Sequence, residues 1–193
     1  MFRKFKSRNQ KNHGGGMRAQ RPLRGQAIVE FAIALPVLMM LLVGLMEVGR
    51  MLFMYASVVN ASRDAVRYAS AYGRSDTPDD GFLKYSYCDG IRQTARQSGF
   101  ILNLSTNPTS GNIKITYDSG PGTSPIVTEV STGNACDAAS GEDANVVGKV
   151  DTGDRVTVKV TATYNPMLSL LPFGTRTFTA TTSRTILGVM DLD

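Results

Sequence analysis

Residues 24–46 read RGQAIVEFAIALPVLMMLLVGLM, a strongly apolar run with one carboxylate, Glu30, near its start. The uncharged core of the run, Phe31–Met46, has sixteen residues, or about 24 Å of helix at 1.5 Å per residue. The hydrocarbon layer of a bilayer is about 30 Å thick, so a spanning helix must extend over Ala27–Met46. The sequence therefore predicts a transmembrane helix that draws Glu30 into or against the apolar layer.

Two interpretations are open for Glu30. In the first, the carboxylate lies at the headgroup boundary and is solvated there. In the second, it lies in the apolar layer, where a lone charge costs about 2.5–3.5 kcal/mol on insertion scales, and it awaits a partner. An ordinary membrane anchor has no need of this acid. The combination suggests a subunit that is stored in a membrane and later assembles with copies or relatives of itself.

The positive charge of the chain is concentrated in residues 1–25, which hold eight Lys and Arg residues and no acid. The remaining residues carry 13 bases against 16 acids, although the whole chain has a net charge of +5. A basic tail can bind nucleic acid, but this one precedes an apolar run, so the positive-inside rule applies. We therefore expect a cytoplasmic N-terminus, an extracytoplasmic C-terminal domain and no nucleic-acid partner.

The apolar run is expected to stay in the protein as a membrane span. No small-residue cleavage site of the secretory type follows Met46, and the helical pattern continues past it. Met17 opens a shorter basic leader and could be the start codon, without effect on the argument. Pro36 removes one backbone hydrogen bond and should bend or loosen the helix, whereas Gly44 and Gly49 allow close helix approach.

The helix is predicted to continue beyond the membrane, from about Gln26 to Tyr72, with Gly73 as its C-terminal stop. Glu47 and Arg50 are spaced for slight i,i+3 support. Residues 27–46 would span the membrane and residues 47–72 would be amphipathic. The face predicted for this second part comprises Val48, Leu52, Tyr55, Val59, Ser62, Val66 and Ala69.

Residues 73–193 are predicted to form a small α+β domain with three to five mostly antiparallel strands and helix on one face. Expected elements are a short helix over 89–99 and strands over 112–117, 125–130, 155–164 and 175–187. Arg184 in the last strand either lies near an open edge, which we favour, or points inward and is paired. The apolar connector 165–174, NPMLSLLPFG, either caps the domain's own core or contacts another subunit.

Cys88 and Cys136 both follow the apolar run, and in this orientation they face an oxidising space. We expect a disulfide between them, worth about 4 kcal/mol in the chain-entropy model. The alternative is two unrelated buried thiols.

Residue types argue against an enzyme. The only histidine is His13, in the leader, so the outer domain cannot hold a Ser/His/Asp triad or a Cys/His pair. The acidic loop 75–80, SDTPDD, does not have the spacing of an EF-hand. We expect no catalytic residues, no metal site and no cofactor. An anchored enzyme that uses carboxylate chemistry stays open as a third alternative, because Asp and Glu are common in the sequence.

Three segments of the sequence resemble the TadE-like family, minor pilins or pseudopilins of tight-adherence (Tad/Flp) pili. They are RGQAIVEFAIALPVLMMLLVGLMEVGR, then NASRDAVRYA at 60–69, and lastly VTVKVTATYNP with LPF and a Thr-rich final strand bearing Arg184. The first segment is fairly specific, and the later ones are shared with related Tad proteins. The resemblance implies a structural protein of pilus biogenesis.

The resemblance also implies how the chain is processed. A prepilin peptidase, a membrane aspartic protease, would cut between Gly25 and Gln26 on the cytoplasmic side. Gln26 would become the first residue of the mature chain and Glu30 its fifth. Phe31 follows where many Flp-type sequences have Tyr, a small departure. Glu30 would then pair with the new α-amino group of a neighbouring subunit and set the register of assembly.

The leading hypothesis is therefore a minor pilin or pseudopilin that primes, tips or scaffolds the pilus. Its implied partners are other Tad pilins or pseudopilins and the inner-membrane Tad assembly platform. Major Flp pilins are little more than the helix, whereas this chain carries a substantial outer domain. The alternative is a permanently membrane-anchored extracytoplasmic binding or sensor domain, which would keep an intact N-terminus.

Overall fold

A computed structural model describes residues 24–71, 73, 81–127, 135–136, 138, 141–167 and 174–188. In these residues the helices are α1, Arg24–Ser70, and α2, Cys88–Ser98, with short 3₁₀ turns at Phe100–Leu102 and Pro108–Ser110. The strands are β1, Ile113–Asp118, β2, Arg155–Tyr164, and β3, Arg176–Thr185. This confirms the α+β class, with a long apolar N-terminal helix followed by a small antiparallel sheet.

The chain divides into two compact units, with the boundary between Leu42 and Val43. In the described part of the first unit, residues 24–42, α1 is helical throughout, including Pro36, and its apolar side chains are exposed. The bend expected at Pro36 stays a prediction. So does the division of the chain into a leader, a helix and an outer domain.

In the second unit, α1 packs on the rest of the domain. Its buried stripe includes Val58, Ala61, Ala65 and Ala69, whose small side chains allow close approach. The predicted face is correct only in its last part, where Ser62, Val66 and Ala69 are buried; Val48, Leu52 and Tyr55 are exposed. The predicted spacing is that of a helix, but the buried face is centred about one residue earlier than predicted, on the small residues.

Close contacts explain two glycines, one inside α2 and one directly after its C-terminal end. A Cβ on Gly99 would lie 2.9 Å from Leu102 Cδ1 and 3.1 Å from Ala61 Cβ, so Gly99 lets α2 end against α1. A Cβ on Gly90 would lie 2.8 Å from the hydroxyl of Tyr68, another α1 residue. The predicted short helix over 89–99 is confirmed. Gly90 is packed tightly against Tyr87 as well as α1, and Gly99 against Leu102 as well as α1.

The sheet has the order β1-β2-β3, and both pairs are antiparallel. The register of β1 on β2 runs from Ile113 opposite Val160 to Asp118 opposite Arg155, and the last pair is closed by Arg155 Nε donating to Asp118 Oδ1 at 2.7 Å. Alternate residues of β2 are buried as predicted: Val156, Val158, Val160, Ala162 and Tyr164.

β3 is one of the two edge strands in this order, and Arg184 is exposed on it, as the favoured interpretation expected. Its inward positions contact α1, since Thr182 Oγ1 lies 2.9 Å from Ser62 Oγ and Phe178 forms an edge-on ring contact with Tyr55. The helix thus covers one face of the sheet, which is the arrangement predicted for the domain.

The strand predicted over 125–130 is wrong where the structure describes it. Pro125 forms one isolated bridge with Asp118, and Ile126 and Val127 are not in a strand. Proline lacks the amide needed to extend a ladder, and Gly120 and Gly122 precede it in a turn. Residues 128–130, the acidic loop 75–80 and most of the apolar connector, residues 168–173, lie outside the described residues.

Candidate functional sites

The first candidate site is the start of α1, where Gly25, Gln26 and Glu30 lie on consecutive turns. All three are exposed, and Gln26 Nε2 donates a hydrogen bond to Glu30 Oε1 at 2.9 Å. Residues four apart face each other on a helix, so the carboxylate reaches the amide of its own N-terminal turn. In the single chain, the residue predicted to begin the mature protein is therefore already a partner of Glu30.

Gly25 is not explained by packing. A Cβ built on it would meet no heavy atom of the described residues within 4 Å. A glycine within a helix is less favourable than alanine by about 1 kcal/mol, so the fold gives no reason to prefer glycine here. Gly49, farther along α1, has equally open surroundings and serves as a matched position for comparison.

Glu30 borders an apolar surface of the same helix. An open groove along α1 is formed by Glu30, Ile33, Ala34, Val37, Leu38 and Leu41. Among the described residues, one helix is long and apolar enough to cross a membrane, and the most apolar part of it has none of its residues buried. It fits a single-pass membrane anchor. The described residues of this chain do not cover these apolar side chains, which lipid or other helices could surround.

The second candidate site, which we call the Glu47 cluster, consists of Glu47, Arg50, Tyr164, Asn165 and Met167. Glu47 is only 5 % exposed. Its Oε2 accepts a hydrogen bond from the hydroxyl of Tyr164 and lies 3.9 Å from Arg50 Nη1, and its Oε1 accepts one from the backbone N–H of Met167 at 2.9 Å. The cluster ties α1 to the C-terminal end of β2.

Arg50 completes the Glu47 cluster. Its guanidinium stacks 4.9 Å from the centre of the Tyr164 ring and donates to the carbonyl of Asn165. The hydrogen bond to Glu47, followed by burial, raises the pKa of Tyr164 above its ordinary value. The sequence alone predicted only local i,i+3 support of the helix by Glu47 and Arg50. The available signal was that Glu47 is the first charged residue after the uncharged stretch that ends at Met46.

The third site surrounds the expected disulfide, which joins Cys88 and Cys136 with their Cα atoms 5.6 Å apart. Arg92, fully buried, donates to the carbonyls of Cys136, at 2.8 Å from Nη1, and Ala138. Asp143, also buried, accepts from the backbone N–H groups of Ala138 at 3.0 Å and Asn145 at 2.8 Å. These contacts hold the loop that carries Cys136 against α2.

This third site has the features of a structural centre. The sulfurs of Cys88 and Cys136 and the Asp143 carboxylate lie within 4.8 Å of one another. Because the two sulfurs are bonded to each other, neither is a thiolate that could bind a metal. Burial, and next the Asp143 carboxylate, raise the pKa of Tyr117, whose hydroxyl donates to the carbonyl of Tyr85.

The buried charge of Arg92 was missed by sequence analysis. Cys88, Arg92 and Ala95 have the i, i+4, i+7 spacing of one helix face, and all three are buried. This spacing was the one available signal, whereas the carbonyls that Arg92 binds lie more than forty residues away in sequence.

Comparison with known proteins bears on the first site. Residues 25–67 match the model of a family described as TadE-like protein. This range covers most of α1 and includes Gly25, Gln26, Glu30 and Glu47, and it confirms the resemblance to that family. No curated protein and no solved structure matches the chain.

Proposed function

We propose that this chain, whose α1 carries the TadE-like match, is a minor pilin or pseudopilin that supports the assembly of Tad/Flp-type adhesive pili. It would prime, tip or scaffold the filament from a pool in the cytoplasmic membrane. The observation that carries the proposal is the uncovered apolar surface of α1 beside one carboxylate, Glu30. Lipid can surround such a surface before assembly, and the helices of other pilins can replace the lipid afterwards.

Maturation is the first step of this proposal. A prepilin peptidase hydrolyses the bond between Gly25 and Gln26, so that water supplies the second oxygen of the Gly25 carboxylate and the proton of the new amine. The open surroundings of Gly25 support this step, because recognition by a protease explains a glycine that packing does not require. Cleavage also removes the eight basic residues of the leader, which would otherwise hold this end in the cytoplasm.

Charge pairing is the second step. The α-amino group of Gln26 has a reference pKa of about 7.7–8.0, so it is mostly protonated at neutral pH. In a bundle of apolar helices it would meet Glu30 of a neighbouring subunit, and a pair tolerates a low dielectric better than a lone carboxylate does. The neighbour's ammonium would replace the contact that Glu30 makes with the Gln26 amide in the single chain.

Mass spectrometry of the mature N-terminus tests the maturation step. We expect a chain that begins at Gln26 in cells with the prepilin peptidase, and an uncleaved chain in cells without it. Gly25→Ala should block cleavage, whereas Gly49→Ala, at the matched open position, should be processed normally. An intact leader in the presence of active peptidase would reject the proposal and favour a permanently anchored binding or sensor domain.

Glu30→Gln tests the pairing step. This variant keeps the size and hydrogen-bonding ability of the side chain and loses only its charge. We expect it to be cleaved normally but to be lost from complexes recovered with other Tad pilins and the inner-membrane assembly platform. Glu30→Asp, which keeps the charge, should recover part of the association. Unchanged association of the processed Glu30→Gln chain would rule out the pairing.

A further inference from the structure

Met167 is an exposed apolar residue that the structure fixes at a definite height along α1. Its side chain is 69 % exposed, while its backbone N–H donates to the buried carboxylate of Glu47. Glu47 directly follows the apolar run that ends at Met46. The start of the connector between β2 and β3 therefore lies beside the last turn of that run.

The part of α1 at the level of Met167 is apolar too. Leu45 and Met46 are each 66 % exposed, and both lie within one helical turn of Glu47. Beyond Met167, the connector contains no charged residue up to Gly174. Exposed apolar side chains from two separate parts of the sequence thus lie at a similar level along α1, at the end of the predicted membrane span.

The Glu47 cluster has the composition of a membrane interface. It contains a tyrosine and an arginine, Tyr164 and Arg50, immediately after an apolar span. Tyrosine is enriched at the headgroup level because its ring is apolar and its hydroxyl polar, and arginine at a helix end can reach the same level. Here Arg50 stacks on the Tyr164 ring while both contact Glu47, so the polar groups satisfy one another beside the apolar side chains.

We propose that Met167, together with Leu45 and Met46, contacts the lipid bilayer at its interface, as a second attachment of the domain beside the membrane helix. The occupant is the outer acyl-chain and headgroup layer of the membrane. The Glu47 cluster acts as the support that holds Met167 at this level. The contact requires only that α1 spans a membrane, so it is independent of cleavage and of pilus assembly.

The chain contains no tryptophan, which permits a direct test. Met167→Trp introduces a single fluorophore at the proposed contact, and the full chain can be reconstituted in phosphatidylcholine–phosphatidylglycerol vesicles. Vesicles that contain lipid brominated near the headgroup quench tryptophan in contact with them. Vesicle-bound protein is isolated by flotation, and Leu38→Trp, in the apolar run, establishes that the preparation is inserted.

Phe100→Trp is the matched control. Phe100 is an exposed apolar residue of the same domain, and the preceding Gly99 approaches Ala61, about 21 Å farther along α1 than Glu47 at 1.5 Å per residue. We expect the Met167→Trp chain to lose most of its emission in brominated vesicles, and the Phe100→Trp chain to keep its emission. Equal emission of Met167→Trp in brominated and unbrominated vesicles would overturn the proposal and leave a cap or a subunit contact as the role of the connector.

Preserved structure is checked in the same samples. Near-ultraviolet circular dichroism of the Met167→Trp chain outside the tryptophan band should match that of the wild type, as expected for a change at an exposed side chain.

Discussion

The two parts of α1 differ in what surrounds them, although they belong to one continuous helix. From Ile28 to Leu42 the large apolar side chains are exposed, whereas from Val58 to Ala69 a stripe of small residues is fully buried in the domain. Apolar burial is the main stabilising term of folding, so the second part receives its stabilisation from its own chain. The described residues do not cover the first part, so lipid or other helices would supply its stabilisation.

The two parts of the helix should therefore respond differently to substitution. Substitutions in the buried stripe should alter the free energy of unfolding of the domain. Substitutions in the exposed part should leave that free energy unchanged and alter membrane insertion or assembly. Unfolding experiments can test whether the effects on domain stability and those on insertion or assembly are distinct.

Removal of the disulfide should have the largest effect, and only on the domain. Cys88→Ala with Cys136→Ala opens a link between residues 48 apart in sequence. The chain-entropy model gives about 4 kcal/mol for a loop of this size. Denaturant unfolding of the full chain in detergent, followed by near-ultraviolet circular dichroism, should show the loss. Helical circular dichroism that remains after the domain has unfolded would come from the apolar part of α1. Loss of this signal together with the domain would show that the two parts of the helix unfold as one unit.

Overpacking offers a matched pair within the helix. Ala65 is fully buried and Ala34 is exposed, and both are alanines in α1. Ala65→Leu should lower the free energy of unfolding of the domain by about 2 kcal/mol, because extra methylenes do not fit a packed interior. Ala34→Leu should leave it unchanged. Equal effects in the same denaturant experiment would show that the two parts of the helix are not distinct.

Much of this arrangement could be predicted because its signals are local. The apolar run specifies a membrane-grade helix by composition alone, and alternation of Val156, Val158 and Val160 specifies a strand with one buried face. The disulfide followed from the position of both cysteines after the run. In each case, neighbouring residues carry the information, and no knowledge of distant contacts is needed.

The polar contacts could not be predicted, because their partners are distant in the sequence. Glu47 is held by Tyr164 and Met167, more than a hundred residues later. A carboxylate next to Arg50 has the spacing of a helix-surface pair, and only the fold shows that it is buried. The amphipathic face was predicted incorrectly in its first part for a similar reason. The sheet on which α1 packs is distant in the sequence, and α1 turns its small residues Ala61 and Ala65 inward.

Removal of the Tyr164 hydroxyl should have the smallest effect of these changes on the free energy of unfolding, and this effect should depend on pH. Tyr164→Phe removes one donor to Glu47, which keeps the Met167 amide and Arg50, so the expected loss is about 1 kcal/mol at pH 7. The folded protein holds the Tyr164 proton more tightly than the unfolded chain, whose pKa is about 10.0. The contribution is therefore fully present below pH 10.0 and is lost as the pH rises through the higher folded pKa.

The difference in unfolding free energy between wild type and Tyr164→Phe should thus be constant from neutral pH to mildly alkaline pH and decrease above the unfolded pKa. Tyr85 and Tyr117 also have raised pKa values, but both proteins contain them, so their effects cancel in the difference. A difference that persists unchanged at high pH would mean that the folded state does not raise the pKa of Tyr164. No difference at any pH would mean that the ring contact with Arg50, and not the hydroxyl, stabilises the Glu47 cluster. The comparison then separates the hydroxyl contact between Tyr164 and Glu47 from the other contacts that tie α1, just past its apolar run, to the sheet and the connector.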